Sequence, residues 1–534
     1  MLSFGQILSA LGGRLGSAPA LIHGDEVVSW SDYDRKTNAL ANAFLAAGAQ
    51  TGDRVAHLMR NSPAYLLTTG ASFKARLVHV NVNYRYTGEE LAYILDNSDS
   101  AVVVYDAEFA EVLETIRPRL TGVKLWLQVG GTPPAWAQDF DAVANGPSAP
   151  VQADHSADDM LFIYTGGTTG MPKGVMWDQS ALWTVLGGGA PLPGMPAPDS
   201  LEAHIAAVET GESRRKVLAL PPLMHGTGLL MGIYALGLGG TVITAAARNF
   251  SPTEALKLSE QHSPEVVVIV GDAFARPLLR AIEGGEGRLG QVGMMISSGT
   301  MWSPEIKAGL LGHCPSMICY DSYGSSEGLG YGASVSTAAN ADAPTRFMHD
   351  EGTVLVDIDE TTGEKRVITE PGIPGRIART GLIPRGYWKD PVKSAATFVT
   401  IGDQRYTMPG DFGVLEADGS IVLLGRGSQC INSGGEKIFP EEVEEALKTH
   451  PAVEDALVFG VKDEKWGQAV TAVVETREPV TETELIAHVK ANLAAYKAPK
   501  QLVMAPKCPR APNGKADYDA ARKLAEEAGE MKAA

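Results

Sequence analysis

The segment Tyr164-Thr-Gly-Gly-Thr-Thr-Gly-Met-Pro-Lys-Gly174 directly follows the apolar run Met160–Ile163, which is typical of a buried strand. Its glycines allow backbone N–H groups to approach an anion, and its threonines and lysine add hydroxyl donors and a positive charge. The segment is not a Walker A loop, because no glycine lies five residues before Gly170 and a proline separates Gly170 from Lys173. It predicts a phosphate-binding loop at the end of a strand.

Strand-like and helix-like patterns alternate on both sides of this loop. Arg54–Leu58 and Val266–Val270 are short apolar runs, and Trp30–Ala47 has a helical pattern. This alternation predicts parallel sheets that are covered by helices. Ser251-Pro-Thr-Glu254 predicts a helix start with a capping box, and Gly130–Pro150, rich in glycine, proline and alanine, predicts a loop.

The alternation of strand-like and helix-like segments changes in character near residue 400. Phe412–Leu424 predicts a β-hairpin that turns at Asp418-Gly419, and Pro440–Lys448 predicts a helix with apolar residues on one face. We therefore expect a domain boundary within residues 426–430. It divides the chain into a large domain, residues 1–428, and a small domain, residues 429–534.

Composition and charge exclude several classes of protein. The 534-residue chain has a net charge of −18 and lacks the basic footprint of a nucleic-acid-binding protein. Its four cysteines form no CxxC pair, which favours a reducing compartment. The uncharged stretch Val217–Ala247 is interrupted by glycines and prolines, and the N-terminus lacks the basic region of a signal peptide. We expect a cytoplasmic protein without a transmembrane segment or a nucleic-acid partner.

Further motifs follow the phosphate-binding loop in a fixed order. They are Pro221-Pro-Leu-Met-His-Gly226, Ser297-Ser-Gly-Thr300, Tyr320-Asp-Ser-Tyr-Gly-Ser-Ser-Glu327, Tyr406-Thr-Met-Pro-Gly-Asp411, Gly425-Arg426, Asn432–Ile438 and Pro509–Lys515. Together they resemble the adenylate-forming superfamily of acyl-CoA synthetases, luciferases and peptide-synthetase adenylation domains. The resemblance covers essentially the whole chain. It implies an α/β fold: a large N-terminal domain of helix-covered parallel sheets with a β-barrel-like part, and a small mobile α+β C-terminal domain.

The resemblance implies a complete nucleotide site. Asp321 would meet the adenine amino group, Tyr323 would stack on the base, and Asp411 would accept hydrogen bonds from both ribose hydroxyls. Ser326 stands where the family usually has threonine and keeps the hydroxyl group. The full set of implied ATP- and AMP-binding residues is Thr165, Gly166, Gly167, Thr168, Thr169, Gly170, Lys173, Ser298, Gly299, Asp321, Ser322, Tyr323, Gly324, Ser326, Asp411, Arg426 and Lys515.

The resemblance also assigns the catalytic groups. Lys515 would bridge the carboxylate and the α-phosphate, Lys173 would bind the outer phosphates, and Glu327 would ligate Mg²⁺ together with Thr168. Gln429 occupies the position of the usual hinge aspartate, which implies altered energetics of domain rotation. The cofactors and co-substrates implied are ATP, Mg²⁺ and coenzyme A.

The acyl and coenzyme A sites are implied less directly. Their residues would be His225, Asp272, Gly299, Ser433, Gly434 and Gly435. The segment Val266–Phe274 is mostly apolar and has no lysine or arginine to bind a second carboxylate. It is similar to segments of synthetases for fatty or steroid side-chain acids, and it favours a hydrophobic monocarboxylic acid.

The resulting hypothesis is an ATP-dependent acyl-CoA ligase that forms acyl-AMP and then acyl-CoA; the resemblance also allows a homodimer. Two alternatives stay open. The first is an acyl-AMP ligase that loads a carrier protein, and the second is a non-catalytic acyl-nucleotide-binding homologue. Gly328-Leu-Gly-Tyr-Gly-Ala333 also satisfies the fingerprint of a dinucleotide-binding enzyme, but the residues after it are poor helix formers.

Overall fold

The computed structural model of the chain shows the secondary structure of most of its length. The residues described are 1–165, 171–190, 195–300, 302–359, 361–426, 429, 431–433, 436–463, 467–493, 495–511 and 514–533. None of the helices formed by these residues is long and apolar enough to span a bilayer.

The helices are α1 (Phe4–Leu11), α2 (Trp30–Ala46), α3 (Pro63–Lys74), α4 (Gly88–Asn97), α5 (Ala110–Ile116), α6 (Phe140–Ala144), α7 (Gln179–Val185), α8 (Leu201–Thr210), α9 (Gly226–Gly237), α10 (Pro252–His262), α11 (Asp272–Glu283), α12 (Pro304–His313), α13 (Pro391–Thr397), α14 (Pro440–Lys448), α15 (Glu482–Asn492) and α16 (Tyr518–Ala533). Short 3₁₀ turns occupy Ala107–Phe109, Arg117–Arg119 and Ala495–Lys497.

The strands are β1 (Pro19–His23), β2 (Glu26–Ser29), β3 (Arg54–Leu58), β4 (Val78–Asn81), β5 (Ser100–Asp106), β6 (Leu125–Val129), β7 (Gln138–Asp139), β8 (Met160–Thr165), β9 (Lys173–Asp178), β10 (Lys216–Ala219), β11 (Thr241–Thr244), β12 (Val266–Ile269), β13 (Met294–Ser298), β14 (Ile318–Ser325), β15 (Gly328–Ser336), β16 (Thr353–Ile358), β17 (Lys365–Ile368), β18 (Pro374–Arg379), β19 (Gly386–Tyr387), β20 (Phe398–Ile401), β21 (Gln404–Thr407), β22 (Asp411–Leu415), β23 (Ile421–Arg426), β24 (Ile431–Ser433), β25 (Glu436–Ile438), β26 (Val453–Asp463), β27 (Gly467–Thr476) and β28 (Gln501–Ala505).

Two eight-stranded sheets form the larger part of the molecule. One has the order β15-β14-β13-β12-β10-β11-β1-β2, and the other has the order β19-β9-β8-β4-β3-β5-β6-β7. Their central strands are parallel, and each sheet turns back through an antiparallel hairpin, β14–β15 in the first and β8–β9 in the second. Helix α3 is buried along its whole length and contacts strands of both sheets. The predicted α/β architecture is confirmed.

An antiparallel sheet follows the two parallel ones. Its main path is β17-β16-β18-β21-β20, and the hairpin β22–β23 joins it through β18. This hairpin turns at Asp418-Gly419, as predicted, with Gly419 at φ +81° and the Asp418 carboxylate accepting from the Ser420 backbone. The sheet is the β-barrel-like part of the predicted fold.

A separate small C-terminal domain is built on the order β25-β24-β27-β26, with β28 parallel to β27. Helix α14 spans Pro440–Lys448, the range predicted from its apolar face, and packs its buried Val443 and Leu447 against this sheet. Residues 427, 428 and 430, where the chain enters this domain, lie outside the described ranges. The boundary at 428 stays a prediction.

Two local predictions were wrong. Gly130–Pro150 contains strand β7 and helix α6, because the Asp139 carboxylate accepts from the Ala142 backbone and Phe140 is buried in the core. The capping box at Ser251 is incomplete. The Ser251 hydroxyl caps α10, but the Glu254 carboxylate accepts from the Ala246 backbone instead of returning to Ser251.

The dinucleotide fingerprint does not have the structure that its function requires. Gly328–Ala333 lies inside strand β15, which pairs antiparallel with β14. A dinucleotide-binding fingerprint connects a strand to a helix and presents the helix N-terminus to the pyrophosphate. No helix begins in the described residues between Ala333 and Thr345. The hypothesis of a nicotinamide enzyme has no structural support.

Candidate active site

The predicted site residues lie where parallel strands end. The phosphate-binding segment begins at the carboxyl end of β8 and returns as β9, with Thr165 paired to Lys173. The Tyr320–Glu327 motif occupies the corresponding hairpin of the other sheet, between β14 and β15. Ligands of open α/β sheets bind at such carboxyl ends. The two hairpins touch, because the Trp177 indole donates a hydrogen bond of 2.8 Å to the Ser326 carbonyl.

Tyr387 links the lysine of one hairpin to the carboxylate of the other. Its hydroxyl donates a hydrogen bond of 2.8 Å to Glu327 Oε1. The Lys173 ammonium lies 5.6 Å from the centroid of the same ring, within the range of a cation–π contact. Tyr387 is buried at the end of the short strand β19, which pairs with β9. Lys173 and Glu327 are therefore held around one rigid ring.

The nucleoside motifs meet at Tyr323 and Asp411. The Tyr323 hydroxyl donates to Asp411 Oδ2 at 3.0 Å, and its ring packs against Tyr331 at 5.3 Å between centroids. Burial raises the pKa of Tyr331, and the carboxylates of Asp411 and Glu327 raise it further. Asp411 is also in register with Arg426 on the neighbouring strand. The structure thus brings the predicted ribose and base contacts together and places them near Glu327.

Asp321 forms a buried ion pair with Lys307. The Lys307 ammonium donates to its Oδ2 at 3.2 Å, and both side chains are almost completely buried. Burial raises the pKa of Asp321 to about 6, although the Lys307 charge opposes this shift. One carboxylate oxygen is therefore bound by Lys307. The predicted contact with the adenine amino group would have to use the other oxygen and stays a prediction.

The small-residue loop after β13 faces the start of α9. Gly299 has φ +100°, and a side chain there would approach Thr227 and Val270 at 3.8 Å. The Thr227 hydroxyl lies 3.5 Å from the Ser298 carbonyl, and the Ser297 hydroxyl accepts from the Gly271 backbone at 2.9 Å. These contacts join the carboxyl ends of β12 and β13 to the start of α9 and form one wall of the site.

His225 lies next to this wall, immediately before the first residue of α9. Its Nε2 is buried and has no hydrogen-bond partner within the described part of the chain. The pKa of His225 is lowered to about 4, first by burial and then by the positive charges of Lys515 and Arg85. The imidazole is therefore neutral at physiological pH. Gly514, the residue before Lys515, lies against Ala273 and the Val270 carbonyl, so the small domain brings this lysine to the same wall.

A hairpin of the small domain carries Lys515. Its backbone closes through bonds between Ala511 and Lys515, and Gly514 lies against Ala273 and the Val270 carbonyl of the large domain. Arg510 donates one bond to the Gly514 carbonyl at 3.1 Å and two bonds to Asp455 at 2.6 and 2.7 Å.

In the bidentate pair of Arg510 and Asp455, each side chain stabilises the charged form of the other. Burial opposes the charge on Asp455, but Arg510 lowers the pKa of that carboxyl group; in return, Asp455 raises the pKa of Arg510. The base of the Lys515 hairpin is thus fixed to the small-domain sheet.

Asp272 and Ser433, predicted for the acyl and coenzyme A sites, have contacts within the protein. The Asp272 carboxylate accepts from the Ser303 backbone and hydroxyl and lies 3.2 Å from Arg276, so it supports the start of α12. Its predicted place in the acyl site stays a prediction. Ser433 is buried on β24 and is in register with Gly467 in the small domain. Seven further residues predicted for the site lie outside the described ranges: Gly166, Gly167, Thr168, Thr169, Gly170, Gly434 and Gly435.

Sequence reasoning missed Tyr387, Arg510 and Asp455. Tyr387 lies 60 residues from Glu327, and Asp455 lies 55 residues from Arg510. No local spacing connects such pairs, because each contact is created by strand pairing. The one available signal is the Gly386-Tyr387 step, since Gly386 has φ +147° and permits the close approach of Ser394.

Comparisons with known proteins agree with this geometry. A family model described as AMP-binding enzyme matches residues 12–388, and one described as AMP-binding enzyme C-terminal domain matches residues 442–515. The chain therefore belongs to the AMP-binding, or adenylate-forming, enzyme family. The predictions of the family, of the fold and of an enzyme of this class are confirmed.

Particular relatives narrow the comparison. A 3-oxocholest-4-en-26-oate–CoA ligase of Rhodococcus rhodochrous is 39% identical over 524 residues, covering 93% of this chain and 91% of the relative. A medium/long-chain-fatty-acid–CoA/3-oxocholest-4-en-26-oate–CoA ligase of Mycolicibacterium smegmatis is 37% identical, covering 95% and 94%. Among solved structures, an anthranilate CoA ligase with anthranoyl-AMP has a TM-score of 0.84 at 20% identity, covering 99% and 98% of the two chains. This last likeness shows the fold.

Proposed function

We propose that this enzyme is an ATP-dependent acyl-CoA ligase that activates a hydrophobic monocarboxylic acid through an acyl-AMP intermediate. One observation carries the proposal. Lys173 and Glu327 both contact Tyr387, Asp411 contacts Tyr323, and the small-domain hairpin that carries Lys515 lies against Val270 and Ala273; this arrangement supports a phosphate and ribose site at these residues. The names of the relatives, which are CoA ligases for fatty and steroid acids, support the same reaction.

The first half-reaction needs positioning and charge neutralisation. A carboxylic acid is ionised at neutral pH, so its oxygen attacks the α-phosphorus without a general base, and pyrophosphate leaves. The transition state brings two anions together. Lys515 would stabilise the carboxylate and the α-phosphate, and Lys173 would bind the outer phosphates. A neutral His225 would line the acyl side without a competing charge.

Magnesium fits this site by the chemistry of its donors. Glu327 offers a carboxylate that Tyr387 holds in one orientation, and carboxylate and phosphate oxygens are the ligands that Mg²⁺ prefers. The ion would neutralise part of the charge on the triphosphate. Thr168, the other predicted ligand, remains part of the proposal only.

The second half-reaction requires the small domain to change its position. The thiol sulfur of coenzyme A attacks the acyl carbonyl carbon, and AMP leaves with the electrons of the broken mixed-anhydride bond. In the present arrangement the Lys515 hairpin lies against Val270 and Ala273. We propose that rotation about the segment near Gln429 removes this hairpin and brings the segment Ser433–Gly435 to the pantetheine path.

The acyl group is proposed to be a fatty or steroid side-chain acid. The wall at Val270, Thr227 and Gly299 is apolar or uncharged, and helix α9 behind it carries no charged residue. Such a wall favours the burial of hydrocarbon. Arg85 is close enough to act on His225, but it is exposed at the rim. We expect discrimination against acids with a second carboxylate in the buried part.

A release assay tests the proposal. The purified protein is given MgATP and a panel of medium-chain, long-chain, steroid side-chain and dicarboxylic acids, with and without coenzyme A. We expect acid-dependent release of pyrophosphate for the hydrophobic monocarboxylic acids and formation of their CoA esters. Turnover that requires an acyl carrier protein in place of coenzyme A would support the carrier-loading alternative, and the absence of acid-dependent pyrophosphate release would contradict the proposal.

The cytoplasmic location and a homodimer belong to the same proposal. Both come from the sequence and the family resemblance. Sedimentation of the purified protein measures the second, with an expected mass of twice 56.4 kDa.

A further inference from the structure

Glu454 is a buried carboxylate at the contact between the two domains. It lies on β26 of the small domain, and only 5% of its surface is exposed. Three arginines surround it. Arg280 of α11 bonds to Oε1, Arg276 of α11 lies 3.6 Å from the same oxygen, and Arg477 donates to Oε2 at 2.7 Å. Two of these arginines belong to the large domain, so Glu454 joins the domains.

A β-bulge aims Glu454 at the large domain. The pairing of β26 with β27 shifts between Val453 and Asp455, so that Glu454 is the extra residue of the strand. A bulge turns its side chain out of the regular alternation and sharpens the local twist. The next residue, Asp455, holds Arg510 at the base of the Lys515 hairpin. Two consecutive acidic residues therefore connect the domain contact to the catalytic lysine.

The large-domain side of this contact is part of the active site. Helix α11 begins at Asp272, directly after the Val270–Gly271 wall against which Gly514 packs. One turn and two turns later the same helix presents Arg276 and Arg280 to Glu454. A second cross-domain pair, Arg477 with Glu305 of α12, lies beside it at 3.1 Å. Glu454 of β26 therefore contacts the same helix α11 whose first turn packs against the Lys515 hairpin.

We propose that Glu454 is a positioning residue for the adenylation step: its bonds to Arg276 and Arg280 latch the small domain in the orientation that places Lys515 in the active site. This inference rests on the proposed function and deepens it. The latch is reversible, because Arg276 keeps Asp272 as a partner when the domains separate, and Arg280 is already 60% exposed. The small domain can therefore leave for the second step without stranding a buried charge on the large domain.

The test measures the two half-reactions separately in Glu454→Gln and Arg280→Gln. Adenylation is followed as acid-dependent exchange of pyrophosphate into ATP, and thioester formation is followed from chemically made acyl-AMP and coenzyme A. We expect Glu454→Gln to lower the adenylation rate about tenfold or more and to leave thioester formation unchanged or faster, as for a coupling between two states. Arg280→Gln, whose pair is partly exposed, should lower adenylation by roughly twofold to fivefold.

Matched measurements keep the outcomes distinct. Glu209→Gln removes an exposed ion pair with Arg14, far in sequence from either domain contact, and should change neither step. Arg280→Gln keeps the test decisive if Glu454→Gln fails to fold, because Arg280 is largely exposed. Equal losses in both half-reactions, or no loss of adenylation in folded variants, would overturn the latch while the wild-type enzyme still makes acyl-CoA. A wild-type protein that makes no acyl-AMP would instead contradict the proposed function.

Discussion

At the scale of single residues, Tyr387 holds together the two halves of the proposed phosphate site. It fixes the Glu327 carboxylate through its hydroxyl and offers the face of its ring to Lys173. Both partners come from motifs with assigned roles, whereas Tyr387 lies outside those motifs. A hydrogen bond to a carboxylate restricts its orientation more strongly than packing alone. Tyr387 therefore orients two groups that are proposed to act on ATP and its magnesium ion.

Replacing Tyr387 by phenylalanine isolates this bond. The variant keeps the ring beside Lys173 and loses only the hydroxyl group. We expect kcat/KM for MgATP to fall about threefold to tenfold, the effect of one hydrogen bond. Tyr105→Phe, which also removes a hydroxyl group from a buried tyrosine, is the matched control and should leave ATP kinetics unchanged. Wild-type ATP kinetics in Tyr387→Phe would show that the bond does not orient Glu327 during turnover.

A substitution at Asp411 tests the proposed ribose contact of ATP. If its carboxylate binds the ribose hydroxyls, Asp411→Ala should raise KM for ATP by a factor of about 5 to 150, which corresponds to 1–3 kcal/mol. The order of preference among acids should stay the same. Asp357→Ala, at an exposed aspartate of the same sheet, provides the control. Altered acid selectivity with an unchanged KM for ATP would place Asp411 in the acyl pocket instead.

At the scale of elements, the hairpins β8–β9 and β14–β15 organise the site. Each follows the carboxyl end of a parallel strand, and the Trp177–Ser326 bond joins them. Periodicity and turn residues were sufficient to predict helix α14 and the hairpin β22–β23, because burial in these elements follows one face. They were not sufficient for α6, whose five residues are stabilised by the Asp139 cap and by tertiary burial of Phe140.

The site, like the fold, was predictable where its residues stand in contiguous motifs and not where they depend on long-range contacts. Motifs located His225, Tyr323 and Asp411 because each stands in a contiguous pattern. Asp321 shows the limit of this approach, because the ion pair with Lys307 depends on helix α12 packing beside β14, which no local pattern reveals. Contacts between strands and between domains are set by the fold as a whole.

Strands β3 and β4 carry a buried histidine pair that makes stability depend on pH. His57 and His79 are fully buried with their rings 4.3 Å apart. Burial lowers the pKa of His79 to about 3 and that of His57 well below its usual value. Between pH 6.5 and about 3, His79 is protonated in the unfolded chain and neutral in the folded protein. The free energy of unfolding therefore falls as the pH falls through this window.

Denaturant titrations at a series of pH values measure this effect. The contribution of His79 is up to ~1.4 kcal/mol per pH unit. His79→Gln should flatten the pH dependence by that amount between pH 6 and pH 4, roughly the upper part of the window. His313→Gln, at an exposed position, is the control for loss of a histidine. An unchanged slope in a folded His79→Gln variant would contradict the assignment.

At the scale of the whole molecule, one lysine that belongs to the small domain is proposed to act in the active site of the large domain. The positive charge of Lys515 contributes to lowering the pKa of His225. The hairpin that carries Lys515 lies against Val270 and Ala273. The thiol of coenzyme A must later reach the same acyl carbonyl. If the lysine leaves with the small domain before that step, it is needed for the first half-reaction only.

The most direct measurement is the rate of each half-reaction in Lys515→Ala. Adenylation should fall by ~10²–10³-fold, the effect of removing one preorganised charge from the transition state. Thioester formation from chemically made acyl-AMP and coenzyme A should stay close to the wild-type rate. Lys507→Ala, at an exposed lysine eight residues earlier, should change neither step. Equal losses of both half-reactions in folded Lys515→Ala would contradict the division of labour between the domains.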